Sequence, residues 1–593
     1  MRRSSINEDF LRRYSGSISI QPSFGASLTS IPEEISFVPK HKHDNLYGSI
    51  NSNSNPQDDF LRLPIKPQHE RFSSLVEEGS LLKDELVSMI TLAVPVIATY
   101  LLEMIPGIVT LILVGRMDAG EDTKLYSDSA ALAVMLFNLV GMSTGLGLLT
   151  ALDTLYSCAH GANETKKMGR YLLTGVVVMS VAFCIVWLVL SNTTNVLLFF
   201  NQPKQLSQEA GVFALWMLPG LPFLYGYELM RKLSQARNET LPMVVSAVCS
   251  VATNVCVGYY LVNFTSWGWL GAAVARTIGY MVLLPTLFVG MWYTDREFLV
   301  EVWTGCELKE AITMKALSKF LNLGLPGLAQ YWFEWGPYEC IALICGLFPD
   351  KEEAIISIGA NAIVLQIGSF IYMLYVGCSM SGNIRIGNAL GSGDVHRAKM
   401  AAYLTLALGS LLAILNMSFL LSFRDILPTL FTTDEDLINK ANDLLVVVAV
   451  YQLPDALNGV EQGVFRGIGK QALSAKLNFV AYFIIGLPLG YILALPLGVG
   501  VEGLWIGMTI GLVFVSTVNT TIIFRCNWEE LALETMKRLS IACPNVDGNE
   551  EERDKARREW QELMEDTMRR IANDDTAVSL DTSQTTGNIT LDV

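Results

Sequence analysis

The stretch LAVPVIATYLLEMIP occupies residues 92–106 and is apolar apart from one carboxylate, with two prolines inside it. Residues 323–337 read LGLPGLAQYWFEWGP, with leucine, proline, alanine, tyrosine, glutamate and proline at the same six places, 231 residues later. A second pair, GWLGAAVARTIGY at 268–280 and GVEGLWIGMTIGL at 500–512, shares two glycines and Thr-Ile-Gly at an offset of 232. The sequence therefore predicts an internally duplicated chain.

The composition is that of a membrane protein. Of the 593 residues, 51% are hydrophobic and only 17% are charged, whereas a soluble globular protein carries about 25% charged residues. Apolar runs long enough to span a bilayer occur roughly twelve times. They lie near residues 87–114, 129–154, 171–190, 210–230, 241–262, 269–293, 320–347, 355–381, 400–422, 442–464, 476–497 and 502–524.

The repeat divides these spans into two groups of six. Because six is even, both halves enter the membrane from the same side, with a pseudo-two-fold axis along the membrane normal and a cleft between them, as in many secondary transporters. We predict an all-α polytopic membrane protein with twelve transmembrane helices in two six-helix lobes. The predicted parts are a disordered cytosolic N-terminal tail (1–83), an N-lobe (84–293), a cytosolic linker (294–318), a C-lobe (319–525) and an acidic cytosolic C-terminal tail (526–593).

Enzymatic and metal sites are not indicated. Most of the ten cysteines lie in or beside apolar spans, where cysteine behaves as a small hydrophobic residue. The sequence has no CxxC motif and no Cys/His cluster typical of a metal site. It also has no paired nucleophile and base, so we expect no enzymatic activity, no bound metal and no cofactor.

Carboxylates within the apolar spans are the features that need a function. A charged group at the bilayer centre costs at least about 2.5 to 3.5 kcal/mol. Glu334 lies about 22 Å along a helix that starts near Lys319, at 1.5 Å per residue, and Glu339 follows it. Pro337 removes one backbone donor, so we expect the helix to bend or unwind there and to open a pocket that can hold an acid.

A second polar set lies in the tenth span. YQLPDALNGVEQGVF (451–465) spaces Asp455, Asn458 and Gln462 along one helix face, and Glu461 borders that face. Two structural alternatives stay open. A membrane carboxylate can simply hydrogen-bond a kinked backbone, and the aromatic residues of the seventh span can form an interfacial belt.

The chain resembles the multidrug and toxic compound extrusion (MATE) family, in its eukaryotic, plant-like branch. The resemblance rests on ALDTLYSCAHGA (151–162), FEWGPYE, IRIGNALGSGD, DALNGVEQGVFRGIGKQ, GLWIGMTIGL and FRCNWEE, and covers about residues 85 to 535. It implies an antiporter that expels organic cations, drugs or metabolites in exchange for protons or sodium, and it maps the family's carboxylates onto Glu334, Glu339 and Asp455. Glu103 and Arg276 are departures from the pattern.

A physical mechanism accompanies this resemblance. Burial disfavours the charged form of a carboxylate, so a buried acid can exchange a proton, and a proton and an organic cation compete for the same negative charge. No histidine lies in any predicted span, which leaves a carboxylate as the proton carrier. Aromatic rings can bind a planar cation by its face. The substrate-binding candidates are Tyr331, Trp335, Tyr338, Asn458, Glu461 and Gln462.

Two other carriers share parts of this pattern. A flippase for lipid-linked oligosaccharides, from the same superfamily, has the same architecture but prefers basic residues in its cavity. A major-facilitator carrier also has two six-span halves, but its acidic-basic signature loop is missing after the second span. The expected partners are a small organic substrate and the lipid bilayer, without nucleic acid. We expect a functional monomer in the plasma membrane or in a vacuolar or endosomal membrane.

The distribution of basic residues predicts that both termini are cytosolic. The loops 160–170, 231–239, 383–399 and 465–476 carry three Lys or Arg each, and the loops on the opposite side carry at most two. Epitope tags at residues 1 and 593 should therefore resist protease in sealed cells that display the protein at their surface. Cleavage of either tag without permeabilisation would contradict this orientation.

Overall fold

The computed structural model describes residues 68–117 and 123–540. It divides the chain into two units, Met1–Lys83 and Asp84–Val593, and all the membrane helices discussed below belong to the second unit apart from the start of the first helix. The predicted N-terminal tail before residue 68 and the predicted C-terminal tail after residue 540 lie outside the described residues.

Twelve long helices account for most of the described chain, and the described residues contain no strand. Eleven of the described helices are long and apolar enough to cross a membrane. Met314–Cys345 also has the necessary length, 32 residues, and it carries Glu334 and Glu339. The helices are α1 (Gln68–Gly115), α2 (Thr123–Gly161), α3 (Thr165–Ser191), α4 (Lys204–Ala236), α5 (Leu241–Phe264), α6 (Leu270–Thr294), α7 (Met314–Cys345), α8 (Lys351–Ser392), α9 (Val395–Phe423), α10 (Glu435–Ile468), α11 (Gln471–Ala494) and α12 (Val501–Arg525).

Each half of the chain buries its own hydrophobic core. The first core draws mainly on α1 to α6, with Leu152 and Phe213 among its fully buried members. The second draws on α7 to α12, with Val448 and Met508 at its centre. A helix that is apolar on every side can face lipid and core at once, which explains why the spans carry little sequence periodicity. The predicted two-lobe, all-helical fold is confirmed.

The prolines of α1 and α7 do not interrupt these helices. α7 continues through Pro326 and Pro337, and α1 continues through Pro95 and Pro106. The helix therefore does not unwind at Pro337, because one missing donor leaves the other backbone hydrogen bonds of the turn in place; a bend there, the other predicted outcome, stays a prediction. Irregular turns occur elsewhere.

Two helices contain a π-helical segment. In α2 it spans Phe137–Met142, and in α11 it spans Val480–Gly486. A π-helical turn holds more residues than an α-helical turn. The side chains before it are therefore rotated about the helix axis relative to the side chains after it. Such segments are frequent at functional sites. α4 contains a short 3₁₀ turn at Leu218–Gly220.

Glycines bring the two lobes together at one end of the bundle. A Cβ atom on Gly161 of α2 would clash with the backbone of Asn388, and one on Gly391 of α8 would clash with the carbonyl of Cys158. These positions lie in the last turns of α2 and α8, so the close packing between the lobes extends to the end of the bundle where these two helices finish. We call this the closed end.

Charged groups reinforce the closed end. The fully buried Glu85 carboxylate of α1 binds Arg385 of α8 at 2.5 Å and Arg397 of α9 at 2.7 Å. This buried contact links the first helix of the N-lobe to two helices of the C-lobe. Removal of one partner from such a site leaves an uncompensated charge, which is strongly destabilising.

A short helix, Trp528–Ser540, also lies at the closed end. It places Leu539 in the N-lobe core and Trp528 and Leu531 in a further core with α8, α9 and α12. Lys470, after α10, pairs with Glu534 of this helix at 2.8 Å. Residues 528–540 were assigned to the C-terminal tail from the sequence; the structure places them against both lobes.

We expect Gly391→Ala to disrupt the closed end, because the added Cβ atom has no space beside the Cys158 carbonyl. Overpacking of this kind costs about 1 to 3 kcal/mol. The measurement is the melting temperature of the detergent-solubilised protein. Gly336→Ala is the matched control, since its Cβ would meet only Phe483 at an ordinary 3.7 Å. An equal melting temperature for both variants would contradict the close contact.

Candidate functional site

A cavity of about 180 Å³ lies inside the C-lobe, between α7, α8, α10 and α12. All three carboxylates that the sequence analysis mapped as coupling residues, Glu334, Glu339 and Asp455, line it. The cavity also has aromatic walls, and its lining contains no Lys or Arg. The aromatic lining residues are Trp335, Tyr338, Tyr372, Tyr451 and Trp505.

The Glu334 carboxylate is held by a hydroxyl group. Its side chain is buried, and the hydroxyl of Tyr372 on α8 donates a hydrogen bond to Oε1. No Lys or Arg in the described part of the chain lies within ion-pair distance of it, although Arg466 is close enough to interact electrostatically. Glu334 is thus a buried acid whose nearest partner is neutral.

Asp455 is arranged in the same way on α10. It is also buried, and the Tyr451 hydroxyl, one turn earlier, donates to Oδ1 at 3.3 Å. The Tyr451 hydroxyl is itself hydrogen-bonded to that of Tyr338 on α7. Glu334 and Asp455 interact electrostatically across the cavity. Like charges in one buried site oppose simultaneous ionisation, so the pair favours holding at least one proton or one cation.

A second layer of hydrogen bonds positions the walls of the cavity. The Tyr375 hydroxyl donates to Gln452 at 3.0 Å and accepts from Asn416 of α9 at 3.0 Å. The indole nitrogen of Trp505 donates to Asn361 of α8 at 3.0 Å. These contacts connect α8, α9, α10 and α12, and they fix the orientation of the Trp505 ring.

The other predicted site residues have different surroundings. Glu339 and Trp335 are exposed, at the open side of the cavity. Asn458, Glu461 and Gln462 are buried but do not line it. Glu461 accepts a hydrogen bond from Thr520 of α12 at 2.5 Å, so it is turned towards the neighbouring helix. Substrate binding by these three residues stays a prediction.

Tyr331 is close to charged groups of both lobes. It interacts electrostatically with Arg466, with Asp153 of the N-lobe and with the cavity acid Glu334, but it is absent from the cavity lining. The sequence repeat relates Tyr331 to Tyr100, and their surroundings in the structure correspond. Tyr100 lies beside the buried Arg231, as Tyr331 lies near the buried Arg466.

Sequence reasoning missed Tyr372, Tyr451, Gln452 and Trp505. Tyr451 carried a signal, because it precedes Asp455 by four residues and so shares its face. Trp505 belongs to a repeated segment, but repetition does not give orientation. Tyr372 lies on α8, where the sequence has no charge or proline to mark the position.

The N-lobe holds an ionic network at the position that the repeat relates to Glu334. The guanidinium of Arg231 on α4 contacts Glu103 of α1 at 2.8 Å and Glu228 at 2.6 Å. The Tyr227 hydroxyl also donates to Glu103 at 2.7 Å. Glu103, which the sequence presented as an unexplained charge, is therefore paired with a cation.

A second ionic group crosses from one lobe to the other. Lys232 of α4 binds Asp153 of α2 at 2.6 Å, and Arg466 of α10 approaches the same carboxylate at 3.7 Å. Thr154 donates to the Arg466 carbonyl at 2.6 Å, and Gln471 donates to Thr154 at 2.9 Å. These contacts lie at the closed end and join α2 to α10 and α11.

Metal binding finds no support in the part of the chain that the structure describes. It contains no group of three or more His, Cys, Asp or Glu side chains placed to hold a metal ion. The cysteines described there are all free. The site consists of acids, phenols and indoles, which suit an organic cation or a proton.

The fold and the site together define a membrane carrier with two lobes and an acidic cavity. The MatE family model matches residues 95–260 and 333–492 of the chain. These residues include the part of α7 from residue 333 onward and all of α10, which carry the buried acids, and the match extends over both repeats. The chain belongs to the MatE family.

Known relatives and solved structures agree with this assignment. Multidrug and toxin extrusion protein 1 of Danio rerio is 29% identical over 461 residues, covering 77% of this chain and 75% of that protein. The human protein of the same name is 28% identical over 467 residues, with 79% of each chain covered. The crystal structure of the eukaryotic MATE transporter AtDTX14 superposes with a TM-score of 0.70 and 26% identity, over 77% of this chain and 100% of that chain.

We expect Arg231→Met to destabilise the N-lobe, because Glu103 and Glu228 would lose the cation between them. Breaking a buried ion pair costs about 3 to 5 kcal/mol, which the melting temperature in detergent would report. The triple change of Arg231→Met, Glu103→Gln and Glu228→Gln should recover part of the loss. Arg424→Met, at an exposed arginine, is the control; equal melting of the two single variants would refute the network.

Proposed function

We propose that this protein is a secondary active antiporter that exports organic cations, drugs or metabolites in exchange for protons, by alternating access of its two lobes. The observation that carries the proposal is the C-lobe cavity, in which Glu334 and Asp455 are buried beside aromatic rings without a paired cation. The family assignment supports extrusion of small molecules, since its relatives bear the name multidrug and toxin extrusion protein.

The geometry supports competition between a proton and a substrate. With both acids charged, the cavity attracts an organic cation, which the rings of Trp335, Tyr338 and Trp505 can contact by their faces. When a proton binds one acid, the cavity loses negative charge and the cation is released. Tyr372 and Tyr451 keep each carboxylate oriented in both states, because a phenol hydroxyl can donate to an ionised acid and can accept from a protonated one.

The arrangement of the lobes supports an outward-open state. The closed end holds the glycine contacts between α2 and α8, together with the Asp153–Lys232–Arg466 group. The positive-inside pattern assigns this end to the cytosol. A substrate taken from the cytosol would require these contacts to separate, so the cycle alternates between their closed and open forms.

The flippase alternative is disfavoured by charge. A lipid-linked oligosaccharide is anionic at its phosphates and would be repelled by a cavity lined by Glu334, Glu339 and Asp455. In this proposal the protein acts as a monomer in the plasma membrane or in a vacuolar or endosomal membrane, and both of its termini are cytosolic. The ion gradient is its energy source, and no cofactor takes part.

Transport in proteoliposomes tests the proposal. Purified protein should accumulate a fluorescent organic cation such as ethidium against its gradient when a pH difference is imposed, and substrate addition should move protons in the opposite direction. A matched sodium gradient at constant pH serves as the second arm. Uptake driven by the sodium gradient alone would identify sodium, not the proton, as the coupling ion. If neither gradient drives uptake of ethidium or of a flavonoid tested beside it, the antiporter proposal is contradicted.

We expect Glu334→Gln and Asp455→Asn each to abolish uphill transport driven by a pH difference, because an amide keeps the hydrogen bonds but exchanges no proton. Asp455→Asn should also shift the pH dependence of substrate binding. Asp425→Asn, an exposed acid on the protein surface, is the control and should transport normally.

The double variant shows whether the two acids form one site. Substitutions of residues in one network have non-additive effects on the binding free energy. The double variant should therefore bind substrate no more weakly than whichever single variant has the lower affinity. Strictly additive losses would indicate two independent sites. Transport by Asp455→Asn with normal pH dependence would assign Asp455 a structural role at Pro454.

A further inference from the structure

The internal repeat locates a second position in the N-lobe that corresponds to the C-lobe cavity. At the offset of 231, Glu103 lies over Glu334 and Gly107 lies over Tyr338. Tyr338 lines the C-lobe cavity on the α7 side. Gly107 has no side chain, so the corresponding place beside α1 is not filled by a ring.

The second helix of each lobe gives the same position. Asn163 after α2 and Gly393 after α8 both have positive φ, 55° and 80°, and mark equivalent helix ends at an offset of 230. Asn138 corresponds to Gly368 at the offset of 230 and to Ser369 at the offset of 231. Gly368 and Ser369 both line the C-lobe cavity. Asn138 lies in the π-helical segment of α2 and is exposed.

The sixth helix of the lobe supplies a charged group to this position. Arg276 of α6 extends its guanidinium to Gly107, where a Cβ atom would lie 3.7 Å from Nη1, and to Asn138, whose Oδ1 accepts from Nη2 at 3.4 Å. Nε donates to the Tyr280 hydroxyl at 3.0 Å. At the offset of 232, the C-lobe residue that corresponds to Arg276 is Met508, which is fully buried in the apolar core.

The charge of Arg276 is not compensated by the residues that the structure describes. The side chain is 4% exposed, Nη1 has no hydrogen-bond partner, and no described carboxylate lies within ion-pair distance. The neighbouring rings of Phe137 and Tyr280 stack within 6.1 Å of each other, with centroids 5.9 and 5.7 Å from the guanidinium carbon. Rings reduce the cost of a buried cation only partly.

The fold does not require an arginine here. Met508 fills the corresponding place in a lobe with the same architecture, so an apolar side chain of similar length satisfies the packing of the sixth helix. A guanidinium differs from methionine in its planar set of donors, which match the two oxygens of a carboxylate. The exposed amide of Asn138 lies next to these donors.

We propose that Arg276, through its unpartnered Nη1, and the neighbouring Asn138 form an anion site in the N-lobe, which takes the carboxylate of a zwitterionic substrate or a small inorganic anion. This inference rests on the proposed function as a carrier and extends it to the substrate class. The C-lobe cavity binds the cationic part of a substrate, whereas this site selects substrates and co-ions that carry a negative charge.

A matched pair of dyes tests the site by equilibrium binding, without any ion gradient. Rhodamine B carries a carboxylate beside its cationic xanthene, and its ethyl ester carries only the cation. For Arg276→Met in detergent we expect the affinity for rhodamine B to fall about tenfold or more, the loss of one charge-assisted hydrogen bond, while the affinity for the ester stays within about twofold of wild type.

The inorganic arm distinguishes the source of the anion. The melting temperature of wild type and of Arg276→Met is measured in chloride or nitrate against gluconate. The site is assigned to an inorganic ion if chloride or nitrate raises the melting temperature of wild type but not of Arg276→Met, while the substitution changes the affinities for the two dyes equally. Discrimination between the dyes assigns it to a substrate carboxylate.

Two further variants keep the result interpretable. Arg276→Lys keeps the charge but loses the planar fork and should have intermediate affinity for rhodamine B, and Asn138→Ala should lose less than Arg276→Met. Equal responses of wild type and Arg276→Met to both dyes and to all anions would overturn the anion site. Persistence of the dye discrimination in a protein that shows no coupled transport would overturn the antiporter proposal and leave the anion site standing.

Discussion

A carboxylate inside a membrane must be neutralised by a cation, a proton or hydrogen-bond donors, and the two lobes satisfy this constraint differently. In the N-lobe, Glu103 is paired with Arg231, and the charge is fixed. In the C-lobe, its repeat partner Glu334 accepts a hydrogen bond from the Tyr372 hydroxyl and has no described Lys or Arg within ion-pair distance. Duplication supplied two similar glutamates, and the partner on a neighbouring helix decides which of them is paired with a cation. In the proposed antiporter, the glutamate without that cation is the one that exchanges an ion.

The same distribution of charge explains how the lobes are held. Ion pairs and glycine contacts are concentrated at the closed end, where Asp153 and Arg466 face each other and Gly391 meets Cys158. Glu339, which also lines the cavity, is exposed. In the proposed alternating-access cycle, polar and separable contacts suit a surface that parts and closes again, whereas the apolar cores within each lobe suit rigid bodies.

Much of this architecture could be predicted from the sequence, because span length, composition and the 231-residue repeat are direct consequences of membrane solvation and duplication. The acids at Glu334 and Asp455 were predictable too, since a charged side chain is costly in an apolar span and marks a position with a specific role. The partners were not. Tyr372 and Arg231 lie on other helices, and periodicity within one helix contains no information about the rotation of its neighbour. Of the two outcomes predicted at Pro337, unwinding is wrong, because the loss of one backbone donor leaves the other hydrogen bonds of the helix in place.

The helix Trp528–Ser540 has a consequence for the synthesis of the protein. It follows the last membrane helix, yet it supplies Leu539 to the core of the first lobe and Trp528 to the further core that it shares with α8, α9 and α12. A ribosome releases these residues only after all twelve spans have been made, so the closed end cannot be completed during translation. A chain that stops after Arg525 would leave apolar surface uncovered on both lobes, in a form that quality-control proteases recognise.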